Sequence, residues 1–391
     1  MERILERFRN GDHLALAVSG GSDSIAMLHL ALAERPPSQL VVLTVDHGLR
    51  PESRAEVQQV AQWCDALGVE HHILTWDGEK PRTGIQAKAR TARYDVMTRW
   101  CRENRILTLL TAHTMDDQAE TVVMRLARTQ SNKSLAGIWP ETKWNGVRVV
   151  RPLLQQRRAA LRDMLRSKNI FWLDDPGNEN EAFERVRVRK AMADADVVAL
   201  AAKADAARHE VLALQTQARD FLSARSDISP LGLVTLRRDH LRDVSPDLAA
   251  EVLSMAVALA GGGHVVDPDQ VSQLTQRVLG STLFRMTLGG AVIAVRKAAV
   301  LVGREAGRIG DGLARVDETG GIHWDGRFLI SAPPGSQVAP IGARCPRPQK
   351  KVPAFVLAAL PEVTLPDGRR ILPHFEVIPG VTVTFGEGFW A

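Results

Sequence analysis

The stretch LALAVSGGSDSIAMLHL, residues 14–30, decides the fold of this chain. Its apolar start predicts a strand over Leu14–Val18, and the apolar run after Ser24 predicts a helix that opens there. Between them lies a tight loop, Ser19-Gly20-Gly21-Ser22-Asp23-Ser24. The adjacent glycines permit positive φ and a close approach of backbone amides to a ligand. Because hydroxyls and a helix N-terminus add further donors, the loop predicts an anion site.

No lysine follows the glycines, so the loop is not the phosphate loop of kinases and GTPases, which needs Gly-Lys-Ser/Thr. An ordinary Gly-Ser turn is the alternative interpretation. Such a turn does not require three hydroxyls and a carboxylate within six residues, so we favour the anion site.

The composition is that of a soluble globular protein, with 45% apolar and 24% charged residues in 391 positions. The chain begins without the apolar segment of a secretory signal. Its longest apolar run, around 248–261, is broken by Glu251 and is too short to span a bilayer. Cys64, Cys101 and Cys345 lie far apart, so we expect no disulfide framework, zinc site or iron–sulfur site. We therefore expect a cytoplasmic enzyme without a membrane partner.

The first 130 residues alternate between short apolar runs and longer helical ones, and a further strand and helix follow. Predicted strands are Leu14–Val18, Leu40–Val45, His72–Leu74, Leu107–Thr111 and Val147–Leu154. Predicted helices are Ser24–Glu34, Glu52–Leu67, Thr83–Glu103, Met115–Arg128 and Gln155–Lys168, with a polar, mobile loop over 130–143. This repetition predicts a doubly wound, mainly parallel α/β sheet of Rossmann-like type. Ligands bind such sheets beyond the carboxyl ends of the strands, where the motifs at 19–24, 46–50 and 112–120 fall.

The character of the chain changes after the turn signal at 174–180. Residues 190–224 are Ala-rich with helical spacing, which predicts a long linking helix into a small helical region that ends near Val278. From Thr282 onward the alternation is typical of strands. We therefore predict three domains: residues 1–190 with the site, 191–280 as a helical linker domain, and 281–391 as a small α+β or β domain.

Positive charge concentrates in the first half of the chain. Residues 1–190 carry 29 Lys and Arg against 24 Asp and Glu, and the remainder carries 21 of each. Two clusters supply most of the excess: Arg151, Arg157, Arg158, Arg162, Arg166 and Lys168, and Arg185, Arg187, Arg189 and Lys190. Such clusters suit a phosphate backbone, and a solvated helix face explains them equally well.

A second candidate site lies after the fourth predicted strand, at Asp116-Asp117-Gln118-Ala119-Glu120 beside His113. Asp117 and Glu120 are three residues apart on a helix and share a face. Carboxylates also stabilise a helix N-terminus, which explains one of them more readily than three. We predict that one carboxylate of this cluster holds Mg²⁺ on a triphosphate and that others hold a cationic substrate; Asp23 and Asp117 are the candidates for the metal. Arg90 and Arg93 on the third helix either position charge in this cleft or form a surface ion pair.

Together these motifs resemble those of the PP-loop ATP pyrophosphatases, which carry Ser-Gly-Gly-x-Asp-Ser after the first strand. These enzymes split ATP between its α and β phosphates. Over residues 10–190 the chain is similar to the tRNA(Ile)-lysidine synthases of that superfamily. The motifs that carry the similarity are VDHGLR at 45–50, AHTMDDQAET at 112–121 and RPLL at 151–154.

The resemblance implies that residues 19–24 hold the pyrophosphate of ATP, with Asp46 and His47 near the adenosine. The C2 oxygen of the wobble cytidine, in an isoleucine tRNA with a CAU anticodon, attacks the α-phosphate and releases pyrophosphate. The ε-amine of free L-lysine then attacks C2 and expels AMP, leaving lysidine. Asp117 and Glu120, with Arg93 nearby, shape the lysine pocket, and Asp23 completes the implied catalytic set.

The resemblance also implies that tRNA contacts the basic clusters and both of the later domains. The candidate tRNA contacts are Arg151, Arg157, Arg158, Arg162, Arg185, Arg187 and Arg189. Neutralising the three from Arg157 to Arg162 is expected to weaken tRNA binding and flatten its salt dependence.

Three stretches differ from the usual family pattern. The third helix starts Gly84-Ile85-Gln86-Ala87 instead of Gly-Asn-x-Glu, and residues 128–132 read RTQSN instead of an Arg-Gly-Ser-Gly-like loop. Arg185-Val186-Arg187 stands where the family has Arg-Asn-Arg. These differences concern the positioning of cytidine or tRNA more than the binding of ATP.

Other functions of PP-loop proteins are the alternatives. A tRNA thiolase needs catalytic or cluster-binding cysteines, whereas Cys64 and Cys101 fall within predicted helices and Cys345 stands alone. An amidotransferase-type relative needs an ammonia-producing domain, for which no Cys-His nucleophile is visible. A nucleotide- or tRNA-binding module without turnover is a further alternative, and the intact acidic residues favour an enzyme.

Overall fold

The computed structural model describes residues 3–9, 11–46, 48, 53–76, 85–128, 132–174, 180–182, 184–309, 312–342 and 352–386, with no side chains described at 85–87 and 132. Contacts group the chain into two units, residues 1–211 and 212–391. Within the described residues, every helix is too short or too polar to cross a membrane.

A sheet of six described strands forms the centre of the first unit. Its strands are β1 (Leu14–Ala17), β2 (Leu40–Asp46), β3 (Glu70–Thr75), β4 (Thr108–Thr111), β5 (Glu141–Trp144) and β6 (Val147–Val150). The spatial order is β3-β2-β1-β4-β6-β5, and neighbours run parallel except for β5, which pairs antiparallel with β6. The predicted doubly wound, mainly parallel α/β fold is therefore confirmed.

Helices cover both faces of this sheet. The described helices up to residue 225 are α1 (Ser22–Glu34), α2 (Ser53–Ala66), α3 (Ile85–Glu103), α4 (Met115–Leu126), α5 (Asn132–Leu135), α6 (Arg158–Ser167), α7 (Glu184–Ala191) and α8 (Asp194–Arg225). Side chains alternate along β1, so Leu14 and Leu16 pack with α1, α2 and α6. Ala15 faces the opposite side, where Met97 of α3 is buried. Two hydrophobic cores thus enclose the central strand.

The structure corrects two details of the sequence prediction. Residues 141–144 form β5, whereas the sequence predicted a mobile loop there. Asn145 and Gly146, with φ of 48° and 83°, make the tight turn of a β5–β6 hairpin, which Asn-Gly favours. Helix α1 begins at Ser22, two residues earlier than predicted, because the backbone becomes helical directly after an extended Gly21.

The second unit combines helices with antiparallel sheets. Its strands are β7 (Ser226–Ile228), β8 (Val234–Arg237), β9 (Phe284–Leu288), β10 (Ala291–Val295), β11 (Ala299–Arg304), β12 (Ala314–Arg315), β13 (Gly321–Trp324), β14 (Phe328–Ser331), β15 (Gln337–Pro340), β16 (Pro361–Thr364), β17 (Arg370–Ile371) and β18 (Thr382–Phe385). Its helices are α9 (Arg238–Arg242), α10 (Pro246–Gly261), α11 (Pro268–Leu279) and α12 (Ala354–Leu357). The described strands form three sheets, ordered β7-β8-β11-β10-β9, β12-β15-β16-β17 and β13-β14-β18.

Two apolar clusters hold the second unit together. One joins α10 and α11 to the first of its sheets, and the other fills the space between the remaining sheets around Phe328. Strands β7 and β8 share a sheet with β9–β11, so this sheet draws on residues before and after position 280. The division into domains 1–190, 191–280 and 281–391 stays a prediction.

Candidate active site

A cleft of about 580 Å³ opens at the carboxyl edge of the first sheet, within the size range of small-ligand sites. The strand order reverses between β1 and β4, so the connections that follow these strands separate and leave a crevice. The walls come from the loop at 19–24, the ends of β2 and β4, helix α3, and residues of α4, α6 and α7. Among the described residues, the cleft thus collects the motifs at 19–24 and 112–120 together with Val45, which precedes the third motif.

A glycine is suited to each of the two loop positions for a different structural reason. Gly20 has a φ of +91°, and a Cβ there would lie 2.7 Å from Leu173 Cδ1. Gly21 has an ordinary φ of −70°, so the expectation of positive φ at both glycines is wrong for this residue. A Cβ at Gly21 would meet only Ser19 Oγ, at 3.8 Å. Gly20 therefore allows the turn, and Gly21 leaves open space above the loop.

The serine hydroxyls also divide by role. Ser24 Oγ donates to the carbonyl of Gly21 at 2.9 Å and accepts from the amide of Ser19 at 3.2 Å, so it closes the loop. Ser22 Oγ donates to Asp23 Oδ1 at 3.3 Å and accepts from Arg162 Nε at 3.1 Å. All three serines border the cleft, and Ser24 in addition holds the backbone of the loop.

The N-terminus of α1 carries the donors for an anion. Its N-cap residue is Gly21, and no side chain caps the helix. The first amides of a helix have no acceptor within it, and the helix dipole makes them favourable for negative charge. With the open space above Gly21, this helix end fits a phosphate group.

The acidic cluster of α4 contains one residue with a structural role. Asp116 Oδ2 accepts a 2.7 Å hydrogen bond from the backbone amide of Arg158. It thereby caps α6, whose own N-cap residue, Arg157, makes no side-chain cap. The Met115 amide donates to the carbonyl of Gln156 at 2.9 Å and joins the same two helix ends. Asp116 therefore fixes α6 against α4.

Asp117 lies in the cleft and is held on both sides. Its Oδ2 accepts from the amide and the hydroxyl of Thr114 at 2.8 and 2.9 Å, forming a capping box. Its Oδ1 accepts from Arg158 Nη2 at 3.1 Å. Although burial opposes ionisation, the charge of Arg158 lowers the pKa of Asp117 to about 2. Asp117 is therefore a stable anion at neutral pH.

Glu120 is a fully buried carboxylate surrounded by cations. Its Oε1 accepts from Arg189 Nε at 2.7 Å and from Arg158 Nη1 at 3.3 Å, and Arg185 Nε lies 3.0 Å from Oε2. An isolated buried carboxylate is strongly unfavourable, so these guanidinium groups account for its burial. Glu120 fixes α7 beside α4, behind Arg158, Arg185 and Arg189, which themselves line the cleft.

Asp23 stands in the first turn of α1, directly after the glycines. Its Oδ2 accepts from Arg158 Nε at 3.0 Å. Burial raises the pKa of Asp23 above its ordinary value, although Arg158 opposes this shift. Asp23, Asp117 and Glu120 are thus brought together around one guanidinium, as the sequence predicted for the acids but not for the arginine.

Helix α3 contributes positive charge to the opposite wall. Arg93 lines the cleft and has no ion-pair or hydrogen-bond partner within the described part of the chain, and burial lowers its pKa. Arg90 Nη2 donates to His113 Nε2 at 3.1 Å. Because arginine only donates, the His113 proton sits on Nδ1, which donates to Thr111 Oγ1 at 3.1 Å. Burial lowers the pKa of His113 to about 3, so the imidazole is neutral.

The turn after β2 is described only in part, because His47 lies outside the described residues. Asp46 Oδ1 accepts from the Gly48 amide at 2.8 Å and from Ser53 Oγ at 2.6 Å. The Asp46 carboxylate therefore closes the turn and holds the start of α2. Nucleotide contacts by Asp46 and His47 stay predictions.

The arginines predicted to contact tRNA occupy different environments. Arg151 is buried and donates to the carbonyl of Trp139 at 2.8 Å. Arg157 pairs with Asp194 at 2.7 Å. Arg158, Arg162, Arg185 and Arg189 line the cleft. Arg187 is exposed, and its hydrogen bonds within the described residues go to the backbone carbonyls at 181 and 182.

Sequence reasoning placed the cleft arginines on a tRNA surface, and no local signal identifies them as partners of the acids. Arg158 is 135 residues from Asp23, and Arg189 is 69 residues from Glu120. Val186, which departs from the family pattern, is buried. Its neighbour Arg185 lines the cleft, whereas its other neighbour, Arg187, is exposed.

The cleft suits a nucleotide and its metal ion better than a metal ion alone. Within the described residues, no group of three or more His, Cys, Asp or Glu is arranged to hold a metal. Mg²⁺ is usually held by one or two carboxylates together with phosphate oxygens, and Asp23 and Asp117 supply such carboxylates. The donor set therefore fits Mg²⁺ that is carried with a triphosphate.

The two cysteines that the structure describes are unsuited to thiol chemistry. Cys64 in α2 and Cys101 in α3 are fully buried, and burial raises their pKa values to about 11 and about 12. Their predicted location within helices is confirmed, whereas Cys345 lies outside the described residues.

Comparison with known proteins shows the family of this chain. A family model described as a PP-loop domain matches residues 1–196. A tRNA(Ile)-lysidine synthase of Mesorhizobium japonicum is 36% identical, covering 94% of this chain and 87% of the relative. Another, from Ruegeria pomeroyi, is 36% identical over 82% of this chain and 77% of the relative. Among solved structures, a U34-tRNA thiolase of Methanococcus maripaludis has a TM-score of 0.45 at 17% identity, covering 52% of this chain and 75% of the thiolase. The PP-loop match and the long similarity to curated relatives show that the chain belongs to the tRNA(Ile)-lysidine synthase family.

Proposed function

We propose that this protein joins lysine to C2 of the wobble cytidine of isoleucine tRNA, using ATP and forming lysidine, AMP and pyrophosphate. The observation that carries the proposal is one cleft with an uncapped helix N-terminus at one end and a carboxylate cluster beside it. The first feature suits phosphates, and the second suits an amine or a metal ion. Membership of the lysidine synthase family supplies the substrates.

At the nucleotide end, the amides of α1 bind the phosphates and Gly21 keeps the approach open. Arg162, whose Nε lies 3.1 Å from Ser22 Oγ, adds a guanidinium at the same loop. Charge that develops on the departing pyrophosphate is stabilised by these preorganised donors. We assign ATP to this end of the cleft.

At the amine end, Asp117 and Glu120 provide negative charge for the ε-ammonium of lysine. Asp117 is ionised at any pH near neutrality, because its pKa is about 2. Arg93 has no partner among the described residues, so its guanidinium is available for the α-carboxylate of free lysine. The ammonium must lose its proton before the nitrogen attacks, since only the neutral amine is a nucleophile.

Mg²⁺ is proposed to be held by Asp23 and Asp117 together with the phosphates of ATP. The ion neutralises charge on the triphosphate when it is bound. Asp23 is suited to this role because it lies in the first turn of α1, next to the amides that bind phosphate.

The tRNA is proposed to be an isoleucine tRNA with a CAU anticodon, bound through exposed arginines and the later part of the chain. Among the seven candidate arginines, Arg187 is the exposed one, and its hydrogen bonds in the described residues go to backbone carbonyls. Arg151 is buried and hydrogen-bonded to backbone, so it is a poor phosphate ligand.

Partial reactions test this proposal. Pyrophosphate release from ATP should require tRNA but not lysine, whereas AMP release and lysidine formation should require both. A binding module without turnover releases no pyrophosphate under any condition. A thiolase instead gives a sulfur-containing base that needs a sulfur donor, which the buried Cys64 and Cys101 do not favour.

A further inference from the structure

The guanidinium of Arg158 occupies the centre of the carboxylate cluster. Its Nε, Nη2 and Nη1 lie 3.0, 3.1 and 3.3 Å from oxygens of Asp23, Asp117 and Glu120. Each nitrogen therefore contacts a different carboxylate. The Arg158 guanidinium therefore already neutralises part of the negative charge that we assign to binding Mg²⁺ and the substrate amine.

The backbone and the side chain of Arg158 are held independently. Asp116 accepts from the Arg158 amide at 2.7 Å, so the start of α6 stays on α4 whatever the side chain does. The guanidinium reaches across the cleft to α1, whose Asp23 is 135 residues away in sequence. The side chain can therefore rotate about a fixed backbone position.

The three carboxylates depend on Arg158 to different degrees. Glu120 keeps Arg185 and Arg189 when Arg158 leaves, and Asp117 keeps the Thr114 amide and hydroxyl. Asp23 has one other partner among the described residues, Ser22, which is neutral. Removing the guanidinium thus exposes negative charge mainly at Asp23 and Asp117.

We propose that Arg158 is a built-in counter-ion that a divalent cation displaces from Asp23 and Asp117 when nucleotide binds. This inference rests on the proposed function, because the cation is the one carried by the triphosphate. On leaving the carboxylates, the guanidinium turns to the nucleotide phosphates. Arg162, one helical turn further along α6, already reaches the loop at Ser22 and shows that this helix end borders the phosphate site.

The exchange has a consequence for the free protein. A guanidinium and a divalent cation compete for the same two carboxylates, so the nucleotide-free cleft binds the metal weakly. The phosphates supply the oxygens and the negative charge that make displacement favourable. Arg158 thereby couples metal binding to nucleotide binding.

Binding of Mn²⁺ alone tests the proposal. We would titrate nucleotide-free protein with Mn²⁺, followed by electron paramagnetic resonance, in the wild type, Arg158→Met and Arg166→Met. Arg166 lies on the same helix but is exposed and pairs with Asp163, so its variant matches the charge change outside the cleft. Arg158→Met should bind Mn²⁺ at least about tenfold more tightly than the other two proteins. Equal Mn²⁺ affinity in a folded Arg158→Met would overturn the proposal.

A structure of the wild type with Mg²⁺ and a non-hydrolysable ATP analogue gives a test that does not depend on how the variant folds. The Arg158 Nε–Asp23 Oδ2 distance, 3.0 Å in the free protein, should open beyond hydrogen-bond reach. A guanidinium that stays on Asp23 beside the bound nucleotide contradicts the exchange. Neither experiment includes tRNA or lysine, so a failure of lysidine formation is distinguishable from a failure of this inference.

Discussion

The two units each contain a cluster of arginines and carboxylates, and the clusters differ in what surrounds them. In the first unit, Arg158 faces three carboxylates at the wall of a cleft of about 580 Å³. In the second unit, Asp325 lies between Arg304 and Arg327, with all three side chains at most 7% exposed.

The second cluster is closed. Arg304 donates to Asp325 through two nitrogens and to the carbonyls of Gly261 and Gly290 at 2.7 and 2.8 Å. Arg327 donates to Asp325 and to the carbonyl of Ala359, each at 2.6 Å. Their donors are directed to the protein itself, so the cluster holds strands together. Similar residues are enclosed in the second unit, where they stabilise the fold, and border a cavity in the first unit, where we propose that they bind ligands.

The largest effect is expected from Asp325→Asn. Asparagine tolerates the positive φ of 52° at this position, so the substitution removes the charge without new backbone strain. It leaves two buried guanidinium groups without a counter-ion, which should lower the free energy of unfolding by about 3–5 kcal/mol. Urea titration followed by circular dichroism measures the loss, and hydrogen exchange of β11 and β14 amides locates it.

Asp367→Asn is the matched control. Its carboxylate pairs with Arg369 at the surface, where both side chains are more than half exposed. Exposed pairs contribute about 1 kcal/mol or less. If Asp325→Asn and Asp367→Asn lower the free energy of unfolding by similar amounts, the enclosed cluster does not stabilise the second unit as proposed.

A smaller effect is expected from Asp117→Asn in the open cluster. Loss of the negative charge should reduce lysine transfer about 100-fold, equivalent to about 2.7 kcal/mol, while ATP binding is largely retained. The amide weakens the contact with Arg158 but keeps an acceptor for Thr114. Single-turnover lysidine formation and equilibrium ATP binding separate the two effects.

Asp163→Asn serves as the control for this experiment, because Asp163 is exposed on α6 and pairs only with Arg166 among described residues. It should leave transfer unchanged. Normal lysine transfer by Asp117→Asn would remove Asp117 from the lysine pocket.

The pH dependence of stability tests the enclosed region further. Burial lowers the pKa of His374, which packs against Phe328, to about 4. Below about pH 6.5, His374 is protonated in the unfolded state but stays neutral in the folded state. The free energy of unfolding therefore falls as the pH drops from 6.5 towards 4. His374→Gln should remove up to about 1.4 kcal/mol of this loss per pH unit.

Urea titrations of the wild type and His374→Gln at pH 7 and pH 5 provide the measurement. The difference between the two pH values should be smaller in the variant. An identical difference in both proteins would show that His374 takes up its proton in the folded state as it does in the unfolded one.

The smallest effect concerns tRNA. Arg187 is exposed, so Arg187→Gln should weaken tRNA binding a few-fold and reduce the salt slope by about one. Arg151 is enclosed, and Arg151→Gln should leave the slope unchanged in the folded fraction. Filter binding across a range of salt concentrations compares them. If the salt dependence of tRNA binding is unchanged in Arg187→Gln, Arg187 is an ordinary solvated residue that does not contact tRNA phosphates.

Local patterns predicted much of the first unit. The strand at 14–17, the loop after it and the acids on α4 follow from short-range apolar spacing and turn chemistry. Strand β5 was not predicted because its residues are mostly polar and show no alternation of apolar and polar side chains. The Asn145-Gly146 dipeptide is nevertheless typical of a hairpin turn. The confirmed features are those in which the pattern and the structure lie within one stretch of sequence.

The pairing of the arginines could not be predicted in the same way. A guanidinium cluster in sequence indicates charge, but its partners are set by tertiary packing over more than a hundred residues, as with Arg158 and Asp23. The same limit applies to Arg304 at the end of β11 and Asp325 in the turn after β13, which meet only in the folded unit. Whether a charged cluster is open or enclosed is a property of the fold.

Nucleoside mass spectrometry tests the central claim most directly. Isoleucine tRNA with a CAU anticodon would be incubated with the protein, ATP, Mg²⁺ and isotopically labelled lysine, and then digested to nucleosides. We expect a labelled lysidine at the wobble position, formed only when both ATP and lysine are present. An unmodified wobble cytidine, under conditions in which the protein binds ATP and tRNA, would contradict it.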